Sequence, residues 1–190
     1  MPAKPAHTTT LRILAGAYKG RAFASPARAT THPMGAREKL ALFNMLQPYL
    51  PGATVLDAYA GSGALGLEAL SRGAAHVVFV EQSAPVVRIL RQNLRAVLPV
   101  ARLADAEIIQ SSVAAFATHH PSRFNLILAD PPYDHFGPAE VAALAPLLHS
   151  TGVLALSFPA QLTSPTLPGL TCLKSHRYAA AGLALYSPTA

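Results

Sequence analysis

Two stretches of this chain combine residue types that could do chemistry. Residues 55–66 read Val-Leu-Asp-Ala-Tyr-Ala-Gly-Ser-Gly-Ala-Leu-Gly, with an acid four residues ahead of the first glycine. Residues 124–133 read Phe-Asn-Leu-Ile-Leu-Ala-Asp-Pro-Pro-Tyr, an apolar run that ends in an acid, two prolines and an aromatic. The first has the order of a buried strand, a tight turn and a helix N-terminus. In an open α/β sheet, ligands bind in the crevice beyond such a strand.

Gly61, Gly63 and Gly66 match G-x-G-x-x-G, and Glu81 follows 20 residues after Gly61 at the end of the next apolar run. Glycines let a backbone approach a nucleotide closely, and an acid at that distance can accept both ribose hydroxyls. A dinucleotide is therefore a competitor. Asp57 argues against it, because a carboxylate beside a pyrophosphate is a like-charge conflict. Asp57 suits a ligand with cationic groups close to its adenosine, as in S-adenosylmethionine with its sulfonium and ammonium. Each acid also has a plainer reading, Asp57 as a helix-cap or turn acid and Glu81 as a solvent-exposed strand end.

In the second stretch proline fixes φ and donates no ladder bond, so the strand must stop after Asp130. A rigid turn at the carboxyl edge of the sheet suits methylation of an exocyclic amine conjugated to a ring. The lone pair of such a nitrogen is delocalised, and holding its hydrogens with acceptors redirects that pair. The Asp130 carboxylate and the Pro131 carbonyl are the acceptors. Catalysis then comes from positioning and preorganised dipoles. Tyr133 would stack on the base, an interaction typically worth about 1–3 kcal/mol. The plainer reading is a turn made by Pro131 and Pro132.

The elements that position these stretches alternate. Strands are expected at Val55–Tyr59, Val77–Glu81, Glu107–Gln110, Phe124–Asp130, Gly152–Phe158, Leu170–Lys174 and Gly182–Tyr186. Helices are expected at Ala64–Arg72, Ala84–Leu98, Val113–His119 and Pro138–Leu148. Repeated β-α units imply a mostly parallel sheet with helices on both faces, closed by an antiparallel hairpin at one edge. Ahead of them, Leu11–Ala15 and Gly20–Ser25 read as a hairpin, residues 24–33 as a loop and Met34–Leu46 as an amphipathic helix. That helix would bury Leu40, Phe43 and Leu46 and turn Arg37 and Lys39 to solvent. Residues 1–10 read as a frayed tail without a secretory signal.

At 190 residues and 51% hydrophobic, one domain with a small appendage is expected. Cys172 is the single cysteine, which excludes an intrachain disulfide and favours a reducing cytoplasm. No apolar run approaches the roughly 20 residues of a membrane span. Residues 1–54 hold seven basic side chains and one acid, while residues 55–190 hold eight of each, so the net charge of +6 lies ahead of the glycine turn. A basic segment on a neutral domain suits a polyanion held by phosphate contacts. His119 and His120 read as helix-end residues, Arg88, Arg91 and Arg95 as a solvated face, and Cys172 as core; no metal site is expected.

These features resemble the class I S-adenosylmethionine methyltransferases, whose N-methylating members carry Asp/Asn-Pro-Pro-aromatic. The likeness narrows to the bacterial 16S ribosomal RNA guanine-N2 methyltransferases. It rests on Leu11-Arg-Ile-Leu-Ala-Gly-Ala-Tyr-Lys-Gly-Arg21, Ala41-Leu-Phe-Asn-Met-Leu46, Leu56–Ala74 and Asp130-Pro-Pro-Tyr133. The resemblance implies a Rossmann-like, seven-stranded class I fold with an N-terminal hairpin/helix extension at residues 11–52 and a methyltransferase domain at 53–190. It implies a cofactor site of Asp57, Tyr59, Ala60, Gly61, Ser62, Gly63, Glu81, Gln82, Ser112 and Asp130. It also implies catalysis by Asp130, Pro131, Pro132 and Tyr133, and RNA contacts from Arg12, Tyr18, Lys19, Arg21 and Arg37. The implied partner is 16S ribosomal RNA in the small subunit or an assembly intermediate, met by a monomer. Two departures stand out: His32-Pro33-Met34-Gly35 where the family often reads Arg-Pro-Thr, and Ser112 where an Asp or Asn commonly contacts adenine. Competing readings are an amino methyltransferase acting on DNA adenine N6 or protein glutamine, an NAD-dependent oxidoreductase, and a non-catalytic RNA-binding assembly protein.

Overall fold

A computed structural model of the chain describes residues 9–26, 34–178 and 181–189, and His135 by its backbone alone. The tail expected at residues 1–10 and the loop expected at 24–33 lie mostly outside these described residues. Two short strands, β1 (Thr10–Arg12) and β2 (Ala22–Ala24), pair antiparallel and precede α1 (Ala36–Leu46). From there strand and helix alternate: β3 (Thr54–Asp57), α2 (Ala64–Ser71), β4 (His76–Glu81), α3 (Ala84–Val97), β5 (Ala106–Gln110), α4 (Val113–His119) and β6 (Phe124–Ala129). The chain ends with α5 (Pro138–Ala142), β7 (Leu148–Pro159), β8 (Leu170–Arg177) and β9 (Ala181–Pro188).

The main sheet has seven strands in the order β5-β4-β3-β6-β7-β9-β8. Strands β3 to β7 run parallel, and β9 lies antiparallel between β7 and β8. Alternate residues feed opposite faces of the sheet. Val55, Val77, Phe79 and Leu126 pack one core with α1, α2 and α3, while Leu56, Val78, Ile127 and Leu154 pack the other with α4 and α5. The chain steps from β3 out to β5 and returns on the far side of β3 with β6. The strand order therefore reverses between β4 and β6, around β3, and a crevice opens at its carboxyl end. Asp57 ends β3, and Asp130 follows the last residue of β6.

The extension is fastened to α2 by a buried carboxylate. Glu68 has no exposed surface, and its Oε2 accepts the Leu14 N–H at 2.8 Å. Its Oε1 accepts the Ala15 N–H at 3.0 Å and the Arg72 guanidinium at 2.8 Å. One turn on, Ser71 accepts the Ala17 N–H through its carbonyl and the Tyr18 N–H through Oγ. A Cβ on Gly16 would stand 1.9 Å from that carbonyl, so only glycine allows this approach.

Some local expectations are corrected. Lys39, expected in solvent, is buried with Leu42, Phe43 and Leu46, while Leu40 is exposed. Positions 39, 42, 43 and 46 are the i, i+3, i+4, i+7 stripe of α1, and Glu68 supplies the charge that Lys39 faces across it. The helix expected over Pro138–Leu148 stops at Ala142, where the Pro146 ring would meet the carbonyl of a continuing helix. Cys172 is exposed rather than core, because β8 is the sheet's edge and shows nearly its whole length to solvent. No described helix is long and apolar enough to cross a membrane.

Replacing Glu68 leaves two buried cations and two N–H groups without their acceptor. Glu68→Ala is expected to lower folding stability by roughly 3–5 kcal/mol in urea titration, against at most about 0.5 kcal/mol for the exposed control Glu107→Ala.

Candidate active site

The glycine turn is tied to strands on both sides. The Ala58 N–H donates to the Leu128 carbonyl of β6 at 2.9 Å, and the Ala60 N–H to the Val80 carbonyl of β4 at 2.9 Å. Gly61 and Gly63 take positive φ, +52° and +83°. Gly66 lies against Phe79, where a Cβ would stand 2.2 Å from the ring, so α2 can pack this close to β4 only through a glycine.

Asp57 is fully buried, and its Oδ2 accepts the Gly66 N–H in the first turn of α2 at 2.8 Å. This is the helix-cap role; Asp57 and Gly63 stand behind the wall of the crevice rather than in it. Burial pushes the Asp57 carboxyl up to about 7, the Gly66 bond opposes this, and the neighbouring Asp130 and Glu81 charges add to it. Glu81 sits at the lip, its two oxygens accepting the Gly61 N–H at 3.1 Å and the Ser83 N–H at 2.7 Å. A carboxylate held this way keeps lone pairs for a ribose diol.

On the other side of β3, Asp130 opens onto the same crevice. Burial pushes its carboxyl up to about 6, with a hydrogen bond from Ser157 opposing. Ser157, on β7 and 1% exposed, also bonds the Tyr133 hydroxyl, which fixes the ring beside Pro131 and Pro132. Burial likewise raises the Tyr133 phenol to about 12. Tyr59 lines the crevice with its hydroxyl unpartnered among the described residues, and burial holds that phenol well above its usual range.

Together these walls enclose a cavity of about 550 Å³, within the size of ordinary small-ligand sites. Residues 58–62, 81–83, 111–113 and 130–133 line it, which brings Tyr59, Ala60, Ser62, Gln82 and Ser112 together in one wall system. Ser112 is also the N-cap of α4, its Oγ accepting the Ala115 N–H at 3.2 Å. The opposite rim comes from the extension, through Leu11, Ser25, Met34 and Lys39. No group of acids, histidines and cysteines suited to a metal occurs among the described residues.

The residues read as RNA contacts divide. Arg12, Lys19, Arg21 and Arg37 are exposed, but Tyr18 is 7% exposed and belongs to the core, so its ring is not offered for stacking. The Arg21 guanidinium lies over Tyr18 and donates to the Val97 carbonyl at the end of α3. Sequence reasoning misses three residues that shape the site, Ser157, Asn93 and Glu68, and assigns a fourth, Lys39, to solvent. The Asn93 amide, 2% exposed, donates to the Ser62 and Ala24 carbonyls at 2.8 Å and accepts the Ala24 N–H. Ser157 and Glu68 leave a faint signal, each a lone polar residue inside an apolar run.

A sheet of this strand order, with an acid-capped glycine turn at its switch point and Asp-Pro-Pro-Tyr on the neighbouring strand, defines a class I methyltransferase. Residues 11–187 match the family described as "Conserved hypothetical protein 95". "Ribosomal RNA small subunit methyltransferase D" of Haemophilus influenzae is 38% identical over 134 residues, covering 70% of this chain and 68% of that protein. Its Escherichia coli K12 namesake is 35% identical over 132 residues, covering 68% and 65%. Among solved structures, "Putative methyltransferase yhhF" of Escherichia coli matches with TM-score 0.83 at 27% identity, over 96% of this chain and 99% of that one. The chain belongs to this family of methyltransferases.

The raised Asp57 carboxyl has a thermodynamic consequence. Its proton is held more tightly in the folded than in the unfolded chain, so its stabilising contribution is full below about 4 and is lost as pH rises to about 7. Asp57→Asn cannot ionise, so the stability of the variant relative to wild type is expected to rise across that window and level off above it. Thermal melts of both proteins between pH 4 and pH 8 measure this; a difference constant with pH removes Asp57 from the account.

Proposed function

We propose that this chain methylates the exocyclic N2 of a guanine in the RNA of the small ribosomal subunit, with S-adenosylmethionine as donor. The observation that carries the reading is that Asp130 and the glycine turn, on adjacent parallel strands with Asp57 level with Leu128, open into one cavity. The named relatives are small-subunit ribosomal RNA methyltransferases, which supports the substrate class. The cavity also fits the cofactor's chemistry: acids face a cationic ligand, Glu81 is fixed for hydroxyls, and space above Gly61 is open, with only Tyr59 O at 4.0 Å from an added Cβ. When bound, S-adenosylmethionine supplies an electrophilic methyl group.

The chain's own residues do the rest. The Asp130 carboxylate and the Pro131 carbonyl accept the two N2 hydrogens, which turns the lone pair away from the ring. Asp130, raised to about 6, then takes the proton that N2 releases as its new N–C bond forms. Ser157 holds Tyr133 as a stacking face against the base. Residues 11–52 serve as the RNA-contacting extension, with Arg12, Lys19 and Arg37 exposed outside the core.

Two measurements test the reading. Asp130→Ala should lower kcat by about a hundredfold or more while S-adenosylhomocysteine affinity stays within about tenfold, and wild-type activity should rise with pH through about 6. Undiminished turnover would sink the assignment. Removing the charges of Arg12, Lys19 and Arg37 together should make the slope of log affinity for RNA against log salt shallower by roughly two to three. An unchanged slope shows that the extension is not the RNA contact.

A further inference from the structure

Lys39 is a buried lysine whose surroundings leave its ammonium short of negative charge. It is 5% exposed and stands in the cavity wall beside Leu11 and Met34. The nearest carboxylate oxygen, Glu68 Oε2, is 3.9 Å away, too far for a hydrogen bond. Both Glu68 oxygens are already engaged, Oε2 by the Leu14 N–H and Oε1 by the Ala15 N–H and Arg72. The Phe23 ring, 5.9 Å from Nζ, offers a face but no acceptor. None of the three ammonium donors meets a hydrogen-bond acceptor among the described residues. Burial holds the Lys39 pKa below its usual value, Glu68 opposes this and Arg72 adds to it.

The charge pattern of the cavity says what belongs there. Among its described lining residues Lys39 is the one lysine or arginine, set against the acids Glu81, Asp130 and Glu140. A ligand matched to that wall carries one anionic group at the extension's side, with hydroxyls or cationic groups elsewhere. An RNA phosphate is the other source of an anion, but Arg12, Lys19 and Arg37 are exposed and open to it, whereas Lys39 is buried in the cavity wall. We infer that Lys39 seats the carboxylate at the amino-acid end of the methyl donor, making the N-terminal extension part of the cofactor site. This deepens the proposed function and rests on it.

The test is calorimetric and needs no turnover. S-adenosylhomocysteine carries the amino-acid end; 5′-methylthioadenosine lacks it. In Lys39→Met the first should bind roughly 10–100-fold more weakly while the second changes by less than about threefold. Lys39→Arg should restore most of the loss. If both ligands weaken alike, or neither does, Lys39 is structural and the inference falls. It also falls if Lys39→Met weakens RNA binding with the ligand ratio intact, which would assign the residue to phosphate. Should Lys39→Met not fold, Lys39→Gln reads the same ratio. If the wild type binds neither ligand, the proposed function itself fails, an outcome separate from all of these.

Discussion

The burial of Glu68 is the constraint on which the rest of the molecule depends. A carboxylate without water is costly unless its lone pairs are filled. Here the fillers come from three parts of the chain: the Leu14 and Ala15 amides of the extension, Arg72 at the C-cap of α2, and at longer range Lys39 of α1. The extension cannot leave α2 without stranding a buried charge. The other end of α2 is the glycine turn, capped by Asp57 through Gly66. One eight-residue helix therefore carries the glycine turn at its start and the clamp for the extension at its end. The distance from clamp to crevice is set by a single rigid element.

The crevice concentrates negative charge in a place that raises its cost. Asp57 and Asp130 sit on adjacent strands, both pushed upward chiefly by burial, and each has a hydrogen bond opposing the shift, from Gly66 and Ser157 respectively. A cationic ligand would relieve the repulsion that Asp130 and Glu81 impose on Asp57. The tie between ligand and stability is then electrostatic, and it runs through acids that do not all touch the ligand.

Much of this was legible in the sequence because the informative residues are local. Strand, turn and helix around Asp57, and the stop imposed by Pro131 and Pro132, follow from spacing and from proline's missing donor. What could not be read is the set of contacts between residues far apart in the chain. Glu68 meets Leu14 54 residues away, and Asn93 meets Ala24 69 residues away; no local pattern encodes either bond. Residue type puts a lysine such as Lys39 in solvent, whereas its position completes the buried stripe of α1. Proximity in sequence groups Tyr18 with the cations of the extension, whereas its ring fills the core beneath Arg21. Asp57 was legible as a fixed acid at the turn, but not which of its two readings the fold would use.

Asn93 shows how far the joining of extension and crevice goes. Its amide pairs with both backbone groups of Ala24, next to the rim residue Ser25, and with the carbonyl of Ser62 in the glycine turn. A single buried side chain thus fixes the spacing between the wall made by the glycine turn and the wall supplied by the extension. Glu68 sets the same spacing from the far end of α2. With two independent clamps on one separation, movement of the extension relative to the turn would have to break hydrogen bonds of a buried side chain at both. The geometry thus favours an extension that is already in place when ligand arrives, so that order in the cavity wall is supplied by folding rather than by binding.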